Sequence, residues 1–265
     1  MAIPGPRPGS AALITGASSG IGAELARQLS ARGHDAILVA RRRDRLEQLA
    51  AELAAKHGRR VEVIACDLSD AAARERLPGE IESLGLRVDV LVLCAGFGMG
   101  GPFLSQDPAR IVEMARTNLE APLALSRMLV PPMVARRSGA VLIVSSMAGN
   151  QPMPNFGAYA ATKAAVTSFA EALHGELAGT SVTVTALCPG GVDTEFSQVA
   201  GMVHTEKRMP RALMMGAEEC VRAGLEGLER GRRKVMPGLA VRLLAFVGAH
   251  APRALWLRAC RKLMA

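Results

Sequence analysis

An apolar run, Ala11–Thr15, feeds without a break into Thr15-Gly16-Ala17-Ser18-Ser19-Gly20-Ile21-Gly22, and a helical pattern follows over about 20–32. The glycines follow a G-x-x-x-G-x-G spacing. Lacking a Cβ, they let the backbone turn sharply and come close to another group. The helix that follows offers free N–H groups and the positive end of its dipole at the same place, which suits a phosphate. A glycine-rich turn alone is only a turn. Between a strand and a helix it becomes a dinucleotide-binding signature. Gly16, Ser18, Ser19, Gly20 and Ile21 are its candidate contacts.

The rest of the chain repeats the strand–helix alternation. Apolar runs at Ala36–Ala40, Val61–Ala65, Val88–Cys94, Ala140–Ser145 and Val182–Cys188 read as strands, and Lys234–Met236 as a short seventh. Helical patterns fall near 44–57, 70–84, 107–116, 119–136 and 157–178. The runs are nearly continuous in apolar residues, as strands covered on both faces are. This alternation predicts right-handed crossovers and an α/β, Rossmann-like, doubly wound parallel sheet of about seven strands. No repeat, low-complexity tract or linker divides the chain, so a single domain over residues 1–265 is expected.

In such sheets the end of the second strand selects the cofactor. An acid there binds the adenosine ribose hydroxyl of NAD, and an arginine accommodates the 2′-phosphate of NADP. Ala40 stands at that place, followed by Arg41, Arg42 and Arg43. NADP(H) is therefore expected over NAD(H), with Arg41 as the phosphate contact. Arg42 and Arg43 also read as a solvated run ahead of a helix.

Tyr159 and Lys163 stand four apart, and Ser146 lies thirteen residues upstream of the tyrosine. On a helix over 157–178, positions i and i+4 share a face. An ammonium beside a phenol favours the phenolate and lowers its pKa from about 10. Tyr159 then has the properties of an acid/base for an alcohol or ketone oxygen. A Tyr-x-x-x-Lys match by itself is weak, because a helical Tyr and Lys often do no more than snorkel.

Taken together, Thr15–Gly22, Asp67, Cys94-Ala95-Gly96, Asn118, Ser145-Ser146, Tyr159-x-x-x-Lys163 and Pro189-Gly190 resemble the short-chain dehydrogenase/reductase family over roughly residues 11–194. The resemblance implies hydride exchange between the cofactor and a carbonyl carbon, with Tyr159 as acid/base. It implies that Lys163 holds the nicotinamide ribose and tunes Tyr159, that Ser146 contacts the carbonyl oxygen, and that Asn118 maintains a water-linked proton path. It adds Asp67, Leu68, Ala95, Gly96, Pro189, Gly190, Val192 and Thr194 as cofactor contacts. Asp67 also reads as a helix N-cap. One position departs from the family, where Cys94 stands in place of an asparagine that steadies the central sheet. A homodimer or homotetramer is expected from the resemblance alone.

Composition excludes other classes. Aromatics are 3% of the 265 residues, too few for a stacking surface on single-stranded nucleic acid. The net charge is +8, but nine Lys/Arg and no Asp/Glu lie from Arg230 onward. Subtracting those nine leaves −1 for residues 1–229, so no nucleic-acid-binding body is expected. Five dispersed cysteines fit a reducing, cytoplasmic setting. The five histidines lack metal-ligand spacing, so no metal is expected. Residues 1–10 lack an apolar signal region, and no segment is apolar enough to span a bilayer.

Phe97, Met99, Met147, Met153, Phe156, Phe196, Met202, Met209 and Met214 fall where substrate sits in such sheets, which predicts an apolar pocket for a hydrophobic ketone, aldehyde or alcohol. Residues 195–216 read as a substrate lid. Residues 238–265 form a basic amphipathic tail, either packed on protein, the commoner case, or lying on an anionic membrane surface. Two rival functions remain: a dinucleotide-binding sensor without turnover, and a membrane-surface protein acting through its tail. Both leave Asn118, Ser146, Tyr159 and Lys163 without a purpose.

Overall fold

The computed structural model describes residues 3–203 and 209–263. The first half runs β1 (Ser10–Thr15), α1 (Gly20–Ala31), β2 (Asp35–Ala40), α2 (Arg43–His57), β3 (Val61–Ala65), α3 (Ala71–Ser83) and β4 (Arg87–Leu93). The second runs α4 (Pro108–Ala115), a π-helical turn (Arg116–Glu120), α5 (Ala121–Ala135), β5 (Gly139–Val144), α6 (Gly157–Glu176) and β6 (Val182–Leu187). There follow β7 (Gly191–Val192), α7 (Phe196–Val199), β8 (Met214–Met215), α8 (Ala217–Glu229), β9 (Lys234–Val235), α9 (Leu239–His250) and α10 (Arg253–Leu263).

Seven strands form one sheet in the order β3-β2-β1-β4-β5-β6-β9, every pairing parallel. This is the doubly wound fold the sequence predicts. β1 and β5 are buried at all six positions, which accounts for their unbroken apolar character. Within β1 the side chains alternate between two cores. Leu13 joins a layer with Leu77, Leu125, Leu129 and Val166 from α3, α5 and α6. Ala12 and Ile14 join the opposite layer with Leu25, Leu46 and Leu225 from α1, α2 and α8.

Local signals set the helix starts. The Asp70 side chain accepts from the Ala72 N–H (2.9 Å) and caps α3. The Asp107 side chain accepts from Ala109 (3.0 Å) ahead of Pro108 and caps α4. Asp67 is not a cap. Its carboxylate accepts from the backbone N–H and hydroxyl of Ser69, and these bonds hold the loop after β3.

The strand order reverses beside β1. α1 covers one face and the helices after β4 the other, so the loops leaving β1 and β4 part and open a crevice at the carboxyl ends of the strands. β7 and β8 make a separate two-stranded parallel ladder that ties the loop just before the expected lid to the lid's end. Residues 204–208 of that segment lie outside the described residues. Among the described residues, no helix is long and apolar enough to cross a membrane, and no His/Cys/Asp/Glu group has the arrangement of a metal site.

Candidate active site

The glycine loop is built by close approach. Gly16 has φ +70°, and a Cβ there would meet the Ala95 backbone at 2.8 Å. A Cβ at Gly22 would lie 2.2 Å from the Gly16 carbonyl oxygen. The first turn of α1 can therefore press against the loop only as glycine. Gly20, at φ +53°, accepts the Thr194 side chain, whose methyl would lie 3.1 Å from an added Cβ. These three glycines leave a backbone cradle at the amino end of α1. A dinucleotide pyrophosphate fits this chemistry, because Gly16, Gly20, Ile21 and Gly22 line the cleft and the loop itself carries no acidic residue.

Thr15 ties the crevice together. Its hydroxyl donates to the Val92 carbonyl (3.2 Å) and accepts from the N–H groups of Cys94 (2.9 Å) and Ala95 (3.1 Å). This bridge supplies β1–β4 support where Cys94 replaces the family's asparagine. Burial pushes the Cys94 thiol up to about 12, so it packs as a small hydrophobe rather than reacting as a thiolate.

The arginines after β2 differ in their partners. Arg41, the sequence candidate, lines the cleft but pairs with Glu113 (2.8 Å). Arg42 donates to the hydroxyls of Ser18 (3.0 Å) and Ser19 (2.9 Å) and pairs with Glu195 (3.2 Å). Arg45 also pairs with Glu195 (2.5 Å). Arg43 faces away and meets Glu47. Arg42 thus stands over the phosphate loop itself. Sequence favoured Arg41, whereas the guanidinium bonded to the Ser18 and Ser19 hydroxyls is that of Arg42. Buried Arg74 donates to the Leu68 carbonyl (2.7 Å) and pairs with Glu120, and so fixes the loop that carries Asp67 and Leu68.

The catalytic candidates converge at the other end. Ser146 follows β5 and caps a 3-10 turn, Met147–Asn150, by accepting from the Ala148 N–H (3.1 Å). Its hydroxyl lines the same cleft as the Tyr159 side chain. Tyr159 is buried between Phe156, with ring centroids 4.3 Å apart, and Phe196, 5.4 Å apart. Lys163 is buried one turn on, its Nζ 5.8 Å from the Tyr159 ring centre and donating to the Val144 carbonyl (2.9 Å). A Cβ on Gly149 would strike the Lys163 backbone at 2.6 Å, so the Ser146 turn and α6 touch at that glycine.

The electrostatics differ from the sequence expectation. Burial raises the Tyr159 phenol above its usual range, opposed by the Ser146 hydroxyl. Burial also lowers the Lys163 ammonium to about 8. Desolvation outweighs the ammonium's expected effect on the phenol because both groups leave water together.

Asn118 sits in the π-turn. Its side-chain oxygen accepts from the Phe97 N–H (3.0 Å), and its amide donates to the Phe97 carbonyl (2.9 Å) and the Thr162 hydroxyl (3.1 Å). It clamps the loop after β4 to α6, behind Gly96. An added Cβ on Gly96 would lie 2.9 Å from the Asn118 oxygen and 3.4 Å from Lys163 Nζ.

One cleft of about 450 Å³ joins the two ends. Gly16, Ser18, Ser19, Gly20, Ile21, Arg41, Asp67, Leu68, Ala95, Gly96, Ser146, Tyr159, Lys163, Pro189, Gly190, Val192 and Thr194 all line it. Asn118 supports it from behind. Phe97, Met147, Met153, Phe156, Phe196, Met202, Met209 and Met214 supply its apolar end, and Met99 packs behind them. The tail helices lie beside that end. The Trp256 indole donates to the Pro152 carbonyl (3.0 Å), and Val241 packs against Gly190.

The family model for short chain dehydrogenases matches residues 10–202. A short chain dehydrogenase of Pseudocercospora fijiensis is 35% identical over 204 residues, covering 76% of this chain and 66% of that protein. A very-long-chain 3-oxoacyl-CoA reductase of Phaeosphaeria nodorum is 30% identical over 230 residues, covering 85% and 65%. The chain thus spans just under two thirds of the length of these curated relatives. A short-chain dehydrogenase from Sphingobium yanoikuyae, solved in complex with NADPH, superposes with a TM-score of 0.81 at 34% identity, covering 91% of this chain and 93% of that one.

Proposed function

The chain belongs to the short-chain dehydrogenase family, and from that premise we propose that it is an NADP(H)-dependent oxidoreductase interconverting an apolar ketone or aldehyde and its alcohol. The observation that carries this reading is the continuity of the cleft. A phosphate cradle, the Ser146–Tyr159–Lys163 group and an apolar end face one space. When bound, the cofactor supplies or accepts hydride. The protein supplies position and protons. Gly16, Gly20 and Ile21 would hold the cofactor's pyrophosphate at the α1 amino end, Lys163 would hold the nicotinamide-side ribose, and Val192 and Thr194 would meet it from the loop after β6. Ser146 donates to the carbonyl oxygen. In reduction Tyr159 Oη gives that oxygen a proton, and in oxidation it removes one. The Phe156 and Phe196 rings exclude water from Tyr159.

A phenol raised by burial suits the acid role, since it carries its proton at neutral pH. The family-based proton path fits the position of Asn118 beside Gly96 and Lys163. The methionine-rich end fits a bulky apolar substrate. The test is a carbonyl and alcohol panel run with NADPH and NADH. Turnover of bulky apolar ketones with NADPH is expected. Activity confined to small charged carbonyls would sink the substrate class. Tight NADP binding with no turnover across the panel would favour the sensor reading.

Arg42, with Ser18 and Ser19, is the best-placed group for the 2′-phosphate, and the NADPH held by the Sphingobium yanoikuyae relative supports NADP(H). Arg42→Ala is expected to raise KM for NADPH by roughly 10- to 100-fold, the scale of a charge-assisted pair, while leaving KM for NADH almost unchanged. An Arg41→Ala variant showing the larger NADPH effect would return the role to Arg41.

A further inference from the structure

α9 and α10 bury one face and leave another bare. Val241, Ala245, Trp256 and Cys260 pack inward. Leu239, Leu243, Phe246 and Leu255 remain 74%, 62%, 61% and 59% exposed. On α9 the exposed apolar residues Leu239, Leu243, Phe246 and Val247 fall at helical spacing on a single outward stripe. Intramolecular packing is therefore complete without them. An exposed apolar stripe of this kind calls for a partner.

Charge identifies the partner. No acidic residue occurs from Leu239 onward, while Arg242, Arg253, Arg258, Arg261 and Lys262 do. Arg242, Arg258 and Arg261 are exposed, and among the described residues none makes an ion pair. A second copy docked on this face would be isologous, setting the same arginines against each other with no carboxylate between them. A bilayer rich in anionic headgroups offers apolar depth and countercharge together. We propose that α9 and α10 form a docking face for the surface of an anionic lipid bilayer, with the stripe in the acyl boundary and the arginines among headgroups. The Trp256–Pro152 bond and the packing of Val241 on Gly190 then set the apolar end of the cleft beside the membrane. This surface stands independently of the reaction proposed above.

The test is flotation of the full chain with vesicles of phosphatidylcholine containing about a third phosphatidylserine, with light scattering alongside. Flotation is expected with these vesicles, little with phosphatidylcholine alone, and a marked loss at about 0.5 M salt, where surface charges are screened. A Leu243→Glu/Phe246→Glu variant should float at least roughly tenfold less, because binding scales with buried apolar area. An Arg242→Glu/Arg258→Glu variant should lose the salt-sensitive part. All four positions are solvent-exposed, so both variants should melt as the parent does. Absence of wild-type flotation, or equal flotation of all three proteins, overturns the proposal. So does a wild-type dimer that leucine and phenylalanine replacement converts to monomer without any flotation, which would make the face a contact between copies.

Discussion

Tyr159→Phe is expected to lower kcat by about a thousandfold, within the range that general acid/base groups contribute, while cofactor affinity changes by no more than roughly threefold. The ring keeps its packing between Phe156 and Phe196, so the pocket retains its shape. Only the phenolic oxygen is lost. Turnover on an apolar ketone and a fluorescence titration with NADPH separate the two effects. A fall in kcat without a matching rise in KM marks an interaction used in the chemical step. Near-normal kcat would remove Tyr159 from the acid/base role, and a collapse of cofactor affinity would make it a structural residue of the cradle.

Lys163→Met should abolish measurable turnover and yet stabilise the fold. Burial lowers the Lys163 ammonium from 10.5 to about 8. Holding the proton at neutral pH therefore costs on the order of 3 kcal/mol. Methionine removes that cost, fills similar space, and loses a hydrogen bond to Val144 worth roughly 1 kcal/mol. The net expectation is a Tm rise of about 3–5 °C at pH 7. The sign with pH follows from linkage. Between about 8 and 10.5 the unfolded chain binds more protons at this site than the folded one, so the wild type gains stability as pH rises through that window. The advantage of the variant should shrink toward pH 10. Calorimetry at the two pH values checks this, and a variant less stable than wild type at pH 7 would show that the ammonium is held by partners stronger than its desolvation.

Most of the architecture was legible because its causes are local. Strands buried on both faces must be apolar throughout, and the runs from Ala11 to Leu187 mark the strands to within about a residue. Gly16 and Gly22 were legible because close backbone approach excludes every other residue there, and Gly20 because its positive φ of +53° favours glycine. The different partners of Arg41 and Arg42 were not. They depend on Glu113 taking one guanidinium and Glu195 meeting the other, contacts 72 and 153 residues away in sequence. The direction of the Tyr159 shift was hidden for a similar reason. Spacing brings an ammonium near the phenol, but only the packed structure reveals how fully both lose water. The brace from Arg74 to the Leu68 carbonyl left no sequence signal, since a helical arginine ordinarily faces solvent.

The π-turn at Arg116–Glu120 makes residue count a determinant of the site. Such a turn holds one residue more than an α-turn, and each helical residue rotates the chain by about 100°. α4 and α5 therefore run end to end but out of phase. Met114 on the first points into the cluster of Phe97, Phe156 and Tyr159. Leu125, Leu129 and Met133 on the second point into the sheet core. Deleting any single residue from this turn would restore ordinary helix and swing one of the two faces out of its core, whichever amino acid was removed. Substitutions along the exposed side of these helices carry no such penalty. On that exposed side the chain tolerates changes of spelling but not of length.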